Sequence, residues 1–143
     1  MRSAILQSAF TGLVLTVAIA FTGPAKAEVV NLKATLDAKS EVPPNSSQGT
    51  GTVTATYDTA GKKLSWKGSY SGLSGPATAA HFHSAETGKN GAVAVPIVPN
   101  TSPFEGSATL AEAQAAELLA GKWYFNVHTE ANKGGEIRGQ VTK

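Results

Sequence analysis

Gly51-Thr-Val-Thr-Ala-Thr-Tyr57 alternates apolar side chains with threonines along its whole length. A period of two belongs to a strand with one buried face, and β-branched threonine suits the extended backbone. The stretch leads through the turn residues Asp58 to Gly61 into Leu64 to Tyr70, where Leu64, Trp66 and Gly68 share a face. Two such runs joined by a short turn predict a β-hairpin.

The same pattern extends outward in both directions. Val30, Leu32, Ala34 and Leu36 form one face of an earlier strand, with Asn31, Lys33 and Thr35 on the other, and Pro43-Pro44-Asn45-Ser46-Ser47 ends it as a loop. Downstream, the turn cluster Ser71 to Pro76 precedes strands over Ala77 to His83 and Ala92 to Val98. Pro96 cannot donate to a ladder, so its strand belongs at an edge or at a bulge. A short strand over Ser107 to Leu110 follows, and two more run over Lys122 to His128 and Glu136 to Val141, with Glu130 to Gly135 as the turn between them. Helical spacing occurs once, over 111–120, where Ala113, Ala116, Leu119 and Ala120 recur. Thr109 with Glu112 has the form of a capping box, and Gly121 supplies a terminator. Many short strands and one short crossover helix predict a mainly β, antiparallel β-sandwich.

The N-terminus predicts export. Arg2 precedes an apolar stretch from Ala4 to Phe21, and Gly23-Pro24 leads to the small-residue triplet Ala25-Lys26-Ala27. This is the layout of a cleavable signal peptide over residues 1–27, with a domain over 28–143 and a periplasmic or secreted destination. The apolar stretch is short for a membrane span and contains Gln7, Ser8, Thr11 and Thr16, so no stable anchor is expected after cleavage. Arg2 and Lys26 leave with the signal, and ten basic residues then balance ten acidic ones. A neutral domain gives no basis for nucleic-acid binding. The sequence has no cysteine, and its one methionine is Met1, so thiolate-based metal sites are excluded. About 116 residues suffice for one core.

All three histidines fall in two strand-like segments: His81 and His83 in Ala79-Ala-His-Phe-His83, and His128 in Tyr124-Phe-Asn-Val-His128. Alternation points His81 and His83 to one side and Phe82 to the other, and it separates Tyr124, Asn126 and His128 from Trp123, Phe125 and Val127. Aromatics thus enter the core while imidazoles stay outside it. Imidazoles at i and i+2, about 7 Å apart, can meet on one ion if a third arrives from a neighbouring strand. Nitrogen donors with an open position favour copper, with zinc as second choice. H-x-H also occurs on solvent-facing strands with no metal, and that reading stays open here.

Glu136 and Arg138 alternate with Ile137, so they too face away from the core, and Lys133-Gly-Gly135 brings them near His128. An arginine there either holds an anion beside the ion or pairs with a carboxylate, and the ion pair is the expectation. Tyr124, Glu136 and Glu41 are candidates for supporting positions. No G-x-S-x-G and no P-loop is present, which removes the commonest hydrolase and nucleotide-binding readings.

The chain resembles the CHRD (chordin) domain family through Glu41-Val-Pro-Pro44, Ser71-Gly-Leu-Ser-Gly-Pro-Ala-Thr-Ala-Ala-His-Phe-His83, Ala115 to Gly121, Tyr124 to Thr129, and Gly134-Gly-Glu-Ile-Arg-Gly139. That resemblance implies a β-sandwich and, from the chordin name, an extracellular module with a protein or matrix partner. More distantly it is similar to the copper–zinc superoxide dismutases, β-sandwiches that bind copper through an H-x-H pair and a later strand histidine, with an arginine close by. His81, His83, His128 and Arg138 match those roles. The bridging histidine, the zinc loop and the disulfide of those enzymes have no counterpart. The resemblance therefore implies a mononuclear copper site in a superoxide-dismutase-like or immunoglobulin-like sandwich, serving copper handling or small-molecule redox chemistry, without implying dismutation.

Overall fold

A computed structural model describes Gly23 and residues 26–143 of the chain, and the apolar stretch Ala4 to Phe21 of the expected signal peptide lies outside the described residues. Those residues form β1 (Val29–Asp37), β2 (Thr50–Asp58), β3 (Lys63–Ser71), β4 (Ala77–Ser84), β5 (Ala92–Pro96), β6 (Phe104–Thr109), α1 (Glu112–Leu119), β7 (Trp123–Thr129) and β8 (Ile137–Gln140). Every neighbouring pair of strands is antiparallel, in the order β5-β4-β7-β8-β1-β2-β3-β6.

The sheet folds over itself where β8 meets β1, since that seam holds only the Asp37–Arg138 pair and a bridge between Lys33 and Thr142. The two halves, β5-β4-β7-β8 and β1-β2-β3-β6, then face each other. Their inner faces close the core: Trp66 of β3 meets Phe82 of β4 edge-on at 5.5 Å between ring centroids, and Phe104 of β6 stacks on Phe125 of β7 at 5.3 Å. Leu36, Leu64, Phe82, Trp123, Phe125, Val127 and Ile137 are fully buried, each stabilising the fold by roughly 1.5–3 kcal/mol against exposure. The alternation of β2 is borne out residue by residue, with Gly51, Val53, Ala55 and Tyr57 buried and the threonines between them exposed.

Two expectations shift. The strand expected at Ser107 begins at Phe104, whose ring occupies the space that a side chain on Gly68 would need, while Trp66 crowds Gly106 in the same way. Gly106, a glycine at a ring-filled position, hides the alternation there. The helix cap also moves: Thr109 is held by its ladder pairing with Lys63, and the Leu110 amide donates to the Lys62 carbonyl. The N-cap is therefore Ala111, whose N–H donates to the Gln114 side chain at 2.9 Å, in place of the expected Thr109–Glu112 box. Gly121 ends the helix as expected, with φ of 73°, its N–H reaching the Leu118 carbonyl and that of Lys122 reaching Glu117. The helix buries Ala115 and Leu118 and carries the chain from one half to the other, the expected crossover. β5 is an edge strand, and β4 has a register shift between Phe82 and His83 opposite it, in keeping with Pro96.

Candidate metal centre

The cross-strand register of β4 and β7 assembles the site. His83 lies opposite Tyr124, His81 opposite Asn126, and His128 opposite Ala79, so His128 sits diagonally next to His81. Because Phe82, Phe125 and Val127 are committed to the core, these imidazoles share the outer face. Ring centroids are 5.3 Å apart for His81 and His83, 5.0 Å for His81 and His128, and 6.2 Å for His83 and His128. One potential ligand nitrogen from each ring lies within 4.8 Å of the others.

Hydrogen bonds decide which nitrogens are free. His83 Nδ1 lies 3.0 Å from the Gly91 carbonyl oxygen, and His128 Nδ1 lies 2.9 Å from that of Lys133. A carbonyl only accepts, so both Nδ1 atoms carry hydrogen and both Nε2 atoms keep a lone pair in the neutral rings. The buried His83 Nε2 has no partner. His128 Nε2 lies 3.2 Å from His81 Nδ1, which donates to it when no ion intervenes. Two donors on one tetrahedral ion with bonds of 2.0–2.1 Å stand about 3.3 Å apart, so this pair already has a ligating separation. A ligand nitrogen of His83 lies within 4.8 Å of both.

The electrostatics keep the His81 and His83 rings neutral. Burial pushes His81 down to about 4, with repulsion from His128 and then His83 adding to it. Burial also lowers His83, against an upward pull from the Gly91 carbonyl. Neutral imidazole is the form that binds a metal.

This outer face is not open surface. The loops at 38–49 and 85–91 fold over it, leaving His83, Tyr124, Asn126, Glu136, Arg138 and Glu41 buried while His81 and His128 are partly exposed. The expected ion pair of Arg138 is absent among the described residues. Its guanidinium lies 3.4 Å from the centre of the Tyr124 ring, and it donates to Asn90 Oδ1 at 3.0 Å and to the Lys89 carbonyl at 2.6 Å. Stacking on the ring while two carbonyl-type acceptors take its N–H groups satisfies it without a carboxylate. Tyr124 in turn stacks parallel to His83, with centroids 4.7 Å apart.

Glu136 is bonded away from the imidazoles. It accepts from Ser47 Oγ, Ser74 N and Oγ, Thr129 Oγ1 and Asn132 Nδ2. Burial pushes its carboxyl up, but these hydrogen bonds outweigh burial and hold it at about 2. It ties three loops together, including the turn that presents the Lys133 carbonyl to His128. Glu41 has the opposite balance: burial raises it to about 7 despite Arg138 and the Asn126 amide, and its Oε1 has no partner. Asn126 and Glu41 both crowd Gly135, where a side chain would collide with them.

Sequence reasoning passed over Gly91 and Asn90. Their signal was the turn-forming run Thr87-Gly-Lys-Asn-Gly91, which says that a loop is present and nothing about where it lands.

Comparison with known families finds one match, to the CHRD domain, over residues 32–141. No curated protein and no solved structure matches the chain. The matched span runs from within β1 to just past β8 and includes all three histidines and the strands that carry them, so the chain belongs to the CHRD domain family.

Proposed function

We propose that this protein is an exported module that binds one copper ion through His81, His83 and His128, for copper handling or small-molecule redox chemistry. CHRD domains occur in extracellular or secreted proteins, and no helix among the described residues is long and apolar enough to cross a membrane. One observation carries the metal reading: three ligand nitrogens lie within 4.8 Å of one another, and backbone carbonyls fix two of the rings with the hydrogen on Nδ1 and a lone pair on Nε2. Carbonyl partners on the far ring nitrogen are the usual outer support of metal-bound histidines. Copper is preferred over zinc because copper(II) heads the affinity series for nitrogen donors, and no sulfur donor is present beyond Met1.

The test is titration of metal-free protein with copper(II), followed by electron paramagnetic resonance. One equivalent should bind with nitrogen hyperfine structure, and His83→Ala should weaken binding by more than about a hundredfold, beyond what loss of an outer-shell partner costs. A spectrum unchanged in His83→Ala removes that residue from the site. Failure of the wild-type protein to take up copper or zinc ends the metal reading and leaves a non-enzymatic module that binds a protein or matrix partner.

A further inference from the structure

Arg138 is a fully buried cation with no carboxylate bonded to it, and each of its contacts leads toward His83. One route runs through the loop at 85–91. Arg138 fastens Lys89 and Asn90, and the next residue, Gly91, supplies the carbonyl that takes the His83 Nδ1 hydrogen. The loop has little freedom to deliver that carbonyl elsewhere. Gly91 passes so close to the Ser84 carbonyl that a side chain would collide with it, its N–H donates to the Tyr124 hydroxyl at 3.3 Å, and Gln140 Nε2 holds the Ala85 carbonyl at 3.1 Å. The other route runs through a stack. β7 lies between β4 and β8, so Tyr124 is flanked by His83 on one side and by Arg138 on the other. The guanidinium presses on one face of the phenol ring, and the imidazole lies against the opposite one.

We propose that Arg138 is a positioning residue for the metal centre: through the Lys89–Gly91 backbone and the Tyr124 ring it holds His83 with hydrogen on Nδ1 and the Nε2 lone pair turned toward His81 and His128. The metal half of this proposal rests on the copper reading above, whereas the tautomer half can be measured without any metal. A lysine would keep the charge but could not supply a planar group to stack and two N–H groups in a fixed fork. An Asn90→Ala change removes one Arg138 contact, together with the Asn90 Nδ2 bond to the Val42 carbonyl, while leaving the buried cation and its stack in place.

Long-range proton–nitrogen NMR of the imidazoles in metal-free protein reports which ring nitrogen bears hydrogen. Wild-type His83 should carry it on Nδ1. In Arg138→Lys and in Asn90→Ala the signals should move toward the other tautomer or toward an average of the two, and copper affinity should fall about tenfold to a hundredfold, the usual effect of losing an outer-shell partner. His83 signals unchanged in both variants, or copper affinity within about twofold of wild type in both, would overturn the proposal. If Arg138→Lys does not fold, Asn90→Ala decides. If the wild-type protein takes up no copper, the copper reading fails by itself, and the tautomer measurement still decides the role of Arg138.

Discussion

On the half built from β1, β2, β3 and β6, the outward side chains include Thr35, Thr52, Thr54, Thr56, Lys67 and Ser69, all exposed. On the half built from β4, β7 and β8 they include His83, Tyr124, Asn126 and Arg138, all buried beneath two loops. Both faces come from the same alternation of apolar-in and polar-out. The difference lies in what covers them, and it has an energetic meaning. Polar groups taken out of water cost free energy unless every one is paired. The covered face leaves Glu41 Oε1, His83 Nε2 and Asn126 Oδ1 without partners. The net stability of a domain is only about 5–15 kcal/mol, so a layer with several unpaired buried polar atoms is a large cost for this fold to carry.

The comparison breaks most sharply at Glu136. Replacing it with alanine strands two backbone or amide donors and three hydroxyls that now converge on its carboxylate. The expected loss is upwards of about 4 kcal/mol in urea unfolding, since hydrogen bonds to a charged group are worth roughly 1.5–3 kcal/mol each and do not add fully. Glu105→Ala on the bare face should stay within about 0.5 kcal/mol. Similar losses at the two positions would remove the contrast between the faces.

Glu41 sharpens the comparison through pH, with the opposite sign to Glu136. The Glu136 carboxyl is lowered to about 2, so its stabilisation is complete above the ordinary 4.5 and is lost as pH falls toward 2. The Glu41 carboxyl is raised to about 7. Below 4.5 it is protonated folded or unfolded and has no effect, while between 4.5 and 7 only the unfolded chain releases the proton, so stability declines as pH rises. His81, lowered to about 4, gives a slope of the reverse sign over much of that interval. The difference between wild type and Glu41→Gln isolates the carboxyl. The variant should gain on the order of 3 kcal/mol relative to wild type between pH 4.5 and pH 8, and a difference that is flat with pH would refute the burial of an unpaired Glu41.

Gly135 offers a smaller effect in the same layer. It has φ of 128° and faces Glu41 and Asn126 with no room for a side chain, so Gly135→Ala should cost about 2 kcal/mol. A cost near zero would show that the layer yields easily around this turn.

Alternation made the strands, the inner face and the company of His81, His83 and His128 readable from sequence, because the side on which a residue points depends only on its own position in a strand. What lies over that side depends on loops whose placement is set by pairings far away in the chain. Pro43-Pro44 and Asn90-Gly91 announced turns, yet nothing local told that one turn would bury Glu41 or that the other would bring a carbonyl to His83. Arg138 shows the same limit. Its outward direction was legible, but its choice of Tyr124, Asn90 and the Lys89 carbonyl over a carboxylate depends on the loop that arrives above it. Thr109 failed as a cap for a related reason, since a ladder partner on β3 claimed it first.

The smallest effect is expected on the bare face itself. Thr54 lies between Lys33 of β1 and Lys67 of β3, exposed, and its neighbours along β2 alternate inward to Val53 and Ala55. Thr54→Val keeps the β-branched shape that suits a strand and removes a hydroxyl that water already satisfies, so stability should change by less than about 0.5 kcal/mol. Copper affinity should not change at all, because the side chain lies on the half of the sandwich opposite the imidazoles. A clear loss of stability would mean that the threonine face is covered by something that binds it, and the contrast between a bare face and a buried one would then have to be given up.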